Sequence, residues 1–153
     1  MTETLTDALE REHHEIDAGI LAYVDGLSRD ESRTDELGRA VQALRRHIYL
    51  EEEFLFPPLR AAGMLPPVLV MLREHGEIWR VLDALDSVDL ATEPDQARGR
   101  CRELLALLAD HNAKEEPIIY PQGDHVLSDE AKLDLGTFID SGEMPKGWVC
   151  AQA

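Results

Sequence analysis

A chain of 153 residues with 44% hydrophobic content suits one globular domain with its own core, and its modest glycine and proline exclude collagen-like, linker-dominated and disordered classes. With 15 Lys and Arg against 31 Asp and Glu, the formal net charge of −16 argues against nucleic acid or an anionic membrane as partner, since both call for clustered positive charge. No apolar run approaches the roughly 20 residues of a membrane span, the opening MTETLTDALERE lacks the pattern of a secretion signal, and Cys101 and Cys150 form no CxxC; a cytoplasmic protein without a disulfide framework or zinc finger is expected.

The spacing predicts a first helix from about Thr4 to Leu27, with Leu5, Leu9, His13, Ile16, Ile20, Val24 and Leu27 on one face. After the polar run SRDESRTD, a second runs from about Thr34 to Ala62 and carries Leu37, Val41, Leu44, His47, Ile48, Glu51 and Leu55 on its apolar stripe. Pro57 and Pro58 bend or end it, and Gly63 is a plausible stop. A third starts at Pro66 or Pro67 and reaches about Val88, with His75 among Val68, Leu72, Ile78, Leu82 and Leu85. A fourth, after the loop around Thr92 to Pro94, holds Leu104, Leu107, Leu108, His111, Glu115, Ile118 and Ile119 before Pro121. Ser128 then caps a shorter fifth helix ending at Gly142, and the tail EMPKGWVCAQA is expected to be irregular and packed through Trp148. The expected architecture is all-α: an up-down-up-down four-helix bundle over about residues 4–127, followed by the short fifth helix and tail over about 128–153, all in one domain.

The chain repeats itself. HIYLEEEFLFP at His47 to Pro57 returns as HNAKEEPIIYP at His111 to Pro121, and REHHEI at Arg11 to Ile16 returns as REHGEI at Arg73 to Ile78. On a helix, residues four apart share a face, so His47 with Glu51 and His111 with Glu115 each present an imidazole beside a carboxylate. His13 and His75 add one imidazole each from the other two helices. Two ionised carboxylates inside a bundle are costly unless cations sit with them. A pair of metal ions bridged by Glu51 and Glu115, with two imidazoles each from His13, His47, His75 and His111, satisfies both the charge and the ligand count. Mixed nitrogen and oxygen donors suit iron, zinc, nickel or copper better than magnesium or calcium. Iron is the first choice, because bundle cores with such ligands house carboxylate-bridged di-iron centres.

The order of a histidine, HxxxEE followed by FP or YP, EH, and HxxxEE again resembles the hemerythrin-like, or HHE cation-binding, family over about residues 5–125. The resemblance implies a four-helix bundle around two iron ions joined by an oxo, hydroxo or water bridge, meeting dioxygen, peroxide or nitric oxide. Carried over by position, His13, His47, His75 and His111 are the terminal ligands and Glu51 and Glu115 the bridging ones. Oxygen-carrying members have a further histidine where this chain has Trp79, and an aspartate five residues after the fourth-helix histidine where Glu115 here follows after four. These departures point to the bacterial-type branch rather than to reversible oxygen transport. The expected role is oxygen or redox sensing, or a response to oxidative or nitrosative stress. The alternatives are an enzyme that disproportionates peroxide or reduces nitric oxide, a metal-dependent sensing module that contacts a protein or redox partner, and a bundle that stores zinc or iron.

Around the six residues, His14 is expected to be a partly exposed neighbour, since the repeat aligns it with Gly76. Glu52, Glu53 and Glu116 are expected mostly to face water, and Tyr49 and Tyr120 to be edge packing, with hydrogen bonding to or ligation of iron as their functional alternative. His125 is a candidate fifth histidine over the site. Trp79 is expected to plug the core against the metal pocket, Cys101 to be buried, and Cys150 to be an exposed thiol.

Overall fold

The computed structural model describes residues 3–153, which are helical with no strand. Four long helical rods make the bundle. α1 (Leu5–Leu27) starts at a capping box in which the Thr4 side chain accepts from the Asp7 N–H and the Asp7 carboxylate accepts from the Thr4 N–H. α2 (Thr34–Leu50) runs through a π-helical turn (Glu51–Leu55) into the short α3 (Phe56–Ala61). α4 (Leu65–Asp86) is the third rod. The fourth repeats the design of the second: α5 (Pro94–Lys114), a π-helical turn (Glu115–Ile119) and α6 (Tyr120–Val126). α7 (Asp129–Ser141) lies outside this set, with the Ser128 hydroxyl accepting from the Ala131 N–H as its cap.

The expected bundle with its added helix is thus the observed fold, and the main corrections fall at helix interiors and ends. The second rod is not one continuous α-helix, and the fourth does not stop before Pro121 but continues to Val126. Both interruptions have the same cause. Pro57 and Pro121 lack an N–H, and a proline ring crowds the carbonyl four residues before it. The chain opens the preceding turn, so that Phe56 donates to the Glu51 carbonyl and Tyr120 to the Glu115 carbonyl, five residues back. Gly63, at φ 93°, ends α3 in the left-handed region that glycine reaches without strain.

α1 packs chiefly on α2, and α4 on α5, as two hairpins of one plan. The core is split into two apolar layers. One holds Ile16, Ile20, Leu44, Ile48, Ile78 and Leu82, and the other Leu9, Leu50, Leu55, Phe56, Met71 and Ile119. Buried polar residues, His13, His47, Glu51, His75, His111 and Glu115 among them, lie between these layers. No helix among the described residues is long and apolar enough to cross a membrane.

Candidate metal centre

All six residues expected at the centre converge, and each is at most 4% exposed, so neither glutamate is at the surface. They form two overlapping donor sets, His13, His47, Glu51 and Glu115, and Glu51, His75, His111 and Glu115, with the donor atoms of each set within 4.8 Å of one another. The carboxylates belong to both sets because each directs one oxygen to each side. Glu51 places Oε2 3.2 Å from His47 Nε2 and Oε1 3.1 Å from His75 Nε2. Glu115 places Oε1 3.1 Å from His13 Nε2 and Oε2 3.2 Å from His111 Nε2.

Every imidazole is held from behind. Its Nε2 faces the centre while its Nδ1 meets a second carboxylate: Glu116 at 2.9 Å for His13, Glu12 at 2.8 Å for His47, Glu52 at 2.7 Å for His75 and Glu74 at 2.9 Å for His111. An Nδ1–H donated in this way fixes the tautomer that leaves Nε2 free to bind a metal, and raises its basicity. The four acids are themselves repeats. Glu12 and Glu74 each precede a histidine in REH, and Glu52 and Glu116 are each the second glutamate of HxxxEE. Two of these bonds stay within a hairpin, and two cross between hairpins and tie them together.

The expectation of a water-facing glutamate is therefore corrected for Glu52, whose side chain is 5% exposed. Glu116 braces His13 while staying partly open to water, and Glu53 is exposed as anticipated. Tyr120 is a second correction: it is fully buried, not edge packing. Its hydroxyl lies 2.6 Å from Glu51 Oε2, 2.8 Å from Glu115 Oε1, 2.8 Å from His13 Nε2 and 3.1 Å from His47 Nε2. The π-helical turn explains this. Residues five apart diverge by about 140° around an α-helix, and the wider turn brings Tyr120 back toward Glu115. Phe56 holds the matching place in the other half and stacks on His75 at 5.4 Å.

His125 and His14 are exposed, so His125 does not close over the site. Tyr49 packs among Phe54, Phe138 and Trp148. Trp79 is buried, but it meets Trp148 and the Arg45 guanidinium and does not line the central cavity. Cys101 is buried as expected, and Cys150, expected to be exposed, is buried too.

Protons hold the charges together in the metal-free protein. Burial opposes a charged His47, yet Glu51 and Glu12 keep its pKa well above the ordinary value. Burial likewise opposes charge on His111, but Glu115, Glu74 and Glu51 lift its pKa to about 10. His75 is raised by Glu51 and Glu52 against the same burial. Burial works against ionised Glu115 and Glu51, and the surrounding imidazoles nevertheless hold both below the usual carboxylate range. Burial, with Glu115 and Glu51 alongside, pushes the Tyr120 phenol well up. A cation bound here would take over the role of these protons. The donors fit one, being buried, arranged as two sets of two imidazoles and two shared carboxylates, and braced from behind.

A small cavity adjoins the centre. Ile16, Leu44, Ile48, Ile78 and Leu108 wall it, and Asp17 and Asn112 are its polar members beyond the histidines and Glu51. Burial raises the Asp17 pKa, and the Asn112 Oδ1 has no hydrogen-bond partner.

Comparison with known proteins agrees with this geometry. The chain is 30% identical to uncharacterized proteins of Mycobacterium bovis and of two Mycobacterium tuberculosis strains, over 90% of its own length and 60% of theirs. It thus spans about 60% of the length of these curated relatives. No solved structure matches. Residues 4–122 match the model of the hemerythrin HHE cation-binding domain. The chain belongs to the hemerythrin HHE cation-binding family.

Proposed function

We propose that the chain holds two iron ions and that this pair binds or reacts with a small oxidant such as dioxygen, peroxide or nitric oxide. The observation that carries the proposal is that Glu51 and Glu115 each offer one oxygen to each histidine pair. One ion would be held by His13 and His47, the other by His75 and His111, with both carboxylates shared. Mixed imidazole and carboxylate donors favour a transition metal over magnesium or calcium. Bound iron would supply redox change and coordination positions open to a small molecule. The chain's residues do the rest: apolar walls admit only a small ligand, Asp17 and Asn112 supply the polar side of the cavity, and Tyr120 keeps a hydroxyl proton against the first donor set. The role that follows is sensing of, or defence against, oxidative or nitrosative stress.

The test is metal analysis and the electronic spectrum of the purified chain, followed by anaerobic reduction and exposure to oxygen, peroxide and nitric oxide in turn. Two irons per chain and a spectrum that responds to one of these ligands are expected. A colourless protein holding zinc alone would overturn the proposal. Tyr120 favours a second reading, an enzyme that turns over peroxide or reduces nitric oxide, because its hydroxyl is a proton source in contact with the donors. If so, Tyr120→Phe loses turnover while its iron content stays at the wild-type level.

A further inference from the structure

The repeat that builds the centre breaks at one place behind it. Residues 143–153 lie against the second rod and α4, one element from each hairpin, and have no counterpart in the repeat. The Trp148 ring packs against Tyr49 at 5.1 Å and Trp79 at 5.6 Å, and its Nε1–H donates to Glu53 Oε1 at 3.3 Å. Cys150 is 2% exposed. Arg80 donates to the Gln152 carbonyl at 3.1 Å. Gly76 makes room, since a Cβ there would lie 2.5 Å from the Gln152 carbonyl oxygen and 2.8 Å from the Gln152 Cβ. The matching position in the other half is His14, which is exposed.

The seated segment touches the bracing of the centre. The Ala151 N–H donates to Glu52 Oε1 at 2.9 Å, and the other oxygen of that carboxylate accepts from His75 Nδ1 at 2.7 Å. A backbone amide, Glu52 and His75 thus form one chain of hydrogen bonds ending at the donor set. Glu116, which braces His13, has no such donor among the described residues, and its side chain is 31% exposed against 5% for Glu52. A carboxylate fixed at both oxygens holds an imidazole in one orientation, whereas one open to water does so less firmly.

We infer that residues 143–153 are a positioning element for half of the centre: by fixing Glu52 they fix His75, so that the ion on His75 and His111 is retained and the ion on His13 and His47 leaves first. This rests on the two-iron reading above. Ala151 and Glu52 act through His75 and are positioning residues.

The test follows iron release from the reduced, iron-loaded chain into excess ferrous chelator. Wild type should release its iron in two phases of equal amplitude. Ala151→Pro, which removes the donated N–H, and Gly76→Ala, which crowds Gln152, should each speed the slow phase by about tenfold, the scale of a lost supporting bond to a ligand, and leave the fast phase unchanged. Glu52→Gln should affect the slow phase only, and Glu116→Gln the fast phase only. Alanine in place of a helical glycine favours the helix, so Gly76→Ala keeps the fold while loosening the segment, and it carries the test alone if Ala151→Pro does not fold. Equal acceleration of both phases would mean a merely structural role, and wild-type kinetics in the variants or a single phase in wild type would equally overturn the inference. A chain that binds no iron, or one ion only, overturns the proposed function and this inference with it; two ions with unselective release overturn this inference alone.

Discussion

His13 and His47 meet a phenol that His75 and His111 do not. The two pairs come from the same repeated sequence and share the same two carboxylates, yet Tyr120 brings a hydroxyl to the first and Phe56 lays a ring against the second. The contrast separates what the repeat must keep from what it may change. Glu51, Glu115 and the four imidazoles are kept in both halves because the charge balance fails without them. The residue nine positions after each HxxxEE histidine differs, and with it the chemistry open to each side.

The largest effect should come from the residues that ignore the difference. Glu51→Ala or Glu115→Ala removes an oxygen from both donor sets at once, so metal analysis should find neither set filled. The loss of one ion alone would mean that the carboxylates are not shared. Tyr120→Phe is the next test, and it separates the halves. The variant should keep both ions and the wild-type visible spectrum, since the phenol holds its proton, and its metal-free form should be less stable in denaturant by about 2 kcal/mol, the scale of a buried hydrogen bond to a charged group. A visible band present in wild type and lost in the variant would contradict this, since it would mean that the phenol is ionised on iron.

A smaller effect is expected from pH in the metal-free protein. The folded chain holds the His111 proton to about pH 10, against 6.5 for the ordinary group. That contribution to stability is therefore complete below about pH 6.5 and is lost as pH rises through the folded value. Glu74 shifts the other way, from 4.5 to about 2, because His111 and Lys114 donate to it and outweigh its burial. Its contribution is present above about pH 4.5 and is lost as pH falls toward 2. Denaturation followed across this range should show both flanks. Loading with metal should release protons and remove the alkaline flank, since the ions replace them. The smallest effect belongs to His14→Ala, which should leave metal content and stability unchanged because the side chain is exposed.

Much of this was legible in the residues. Helical spacing placed His13, His47, Glu51, His75, His111 and Glu115 on apolar stripes, and the doubled motif indicated that they meet. Tyr120 was not legible, because on a regular α-helix it points away from Glu115, and only the turn opened by Pro121 brings it inward. Glu52 and Glu116 were missed for a related reason: each stands one residue beyond a buried glutamate, where a helical wheel turns a side chain outward. The signal was nevertheless present in the repeat, which duplicates REH and EE as faithfully as the histidines. Cys150 lies in a segment without periodicity, so nothing in its neighbourhood marks it as buried, and its burial follows from the seating of Trp148 and Gln152 on α4.

Mössbauer spectroscopy of the iron-loaded chain is the most direct test of two ions sharing Glu51 and Glu115 in unlike surroundings. The expected spectrum has two iron environments of equal area that behave as one magnetically coupled pair. A single uncoupled environment, with one iron per chain, would contradict the account.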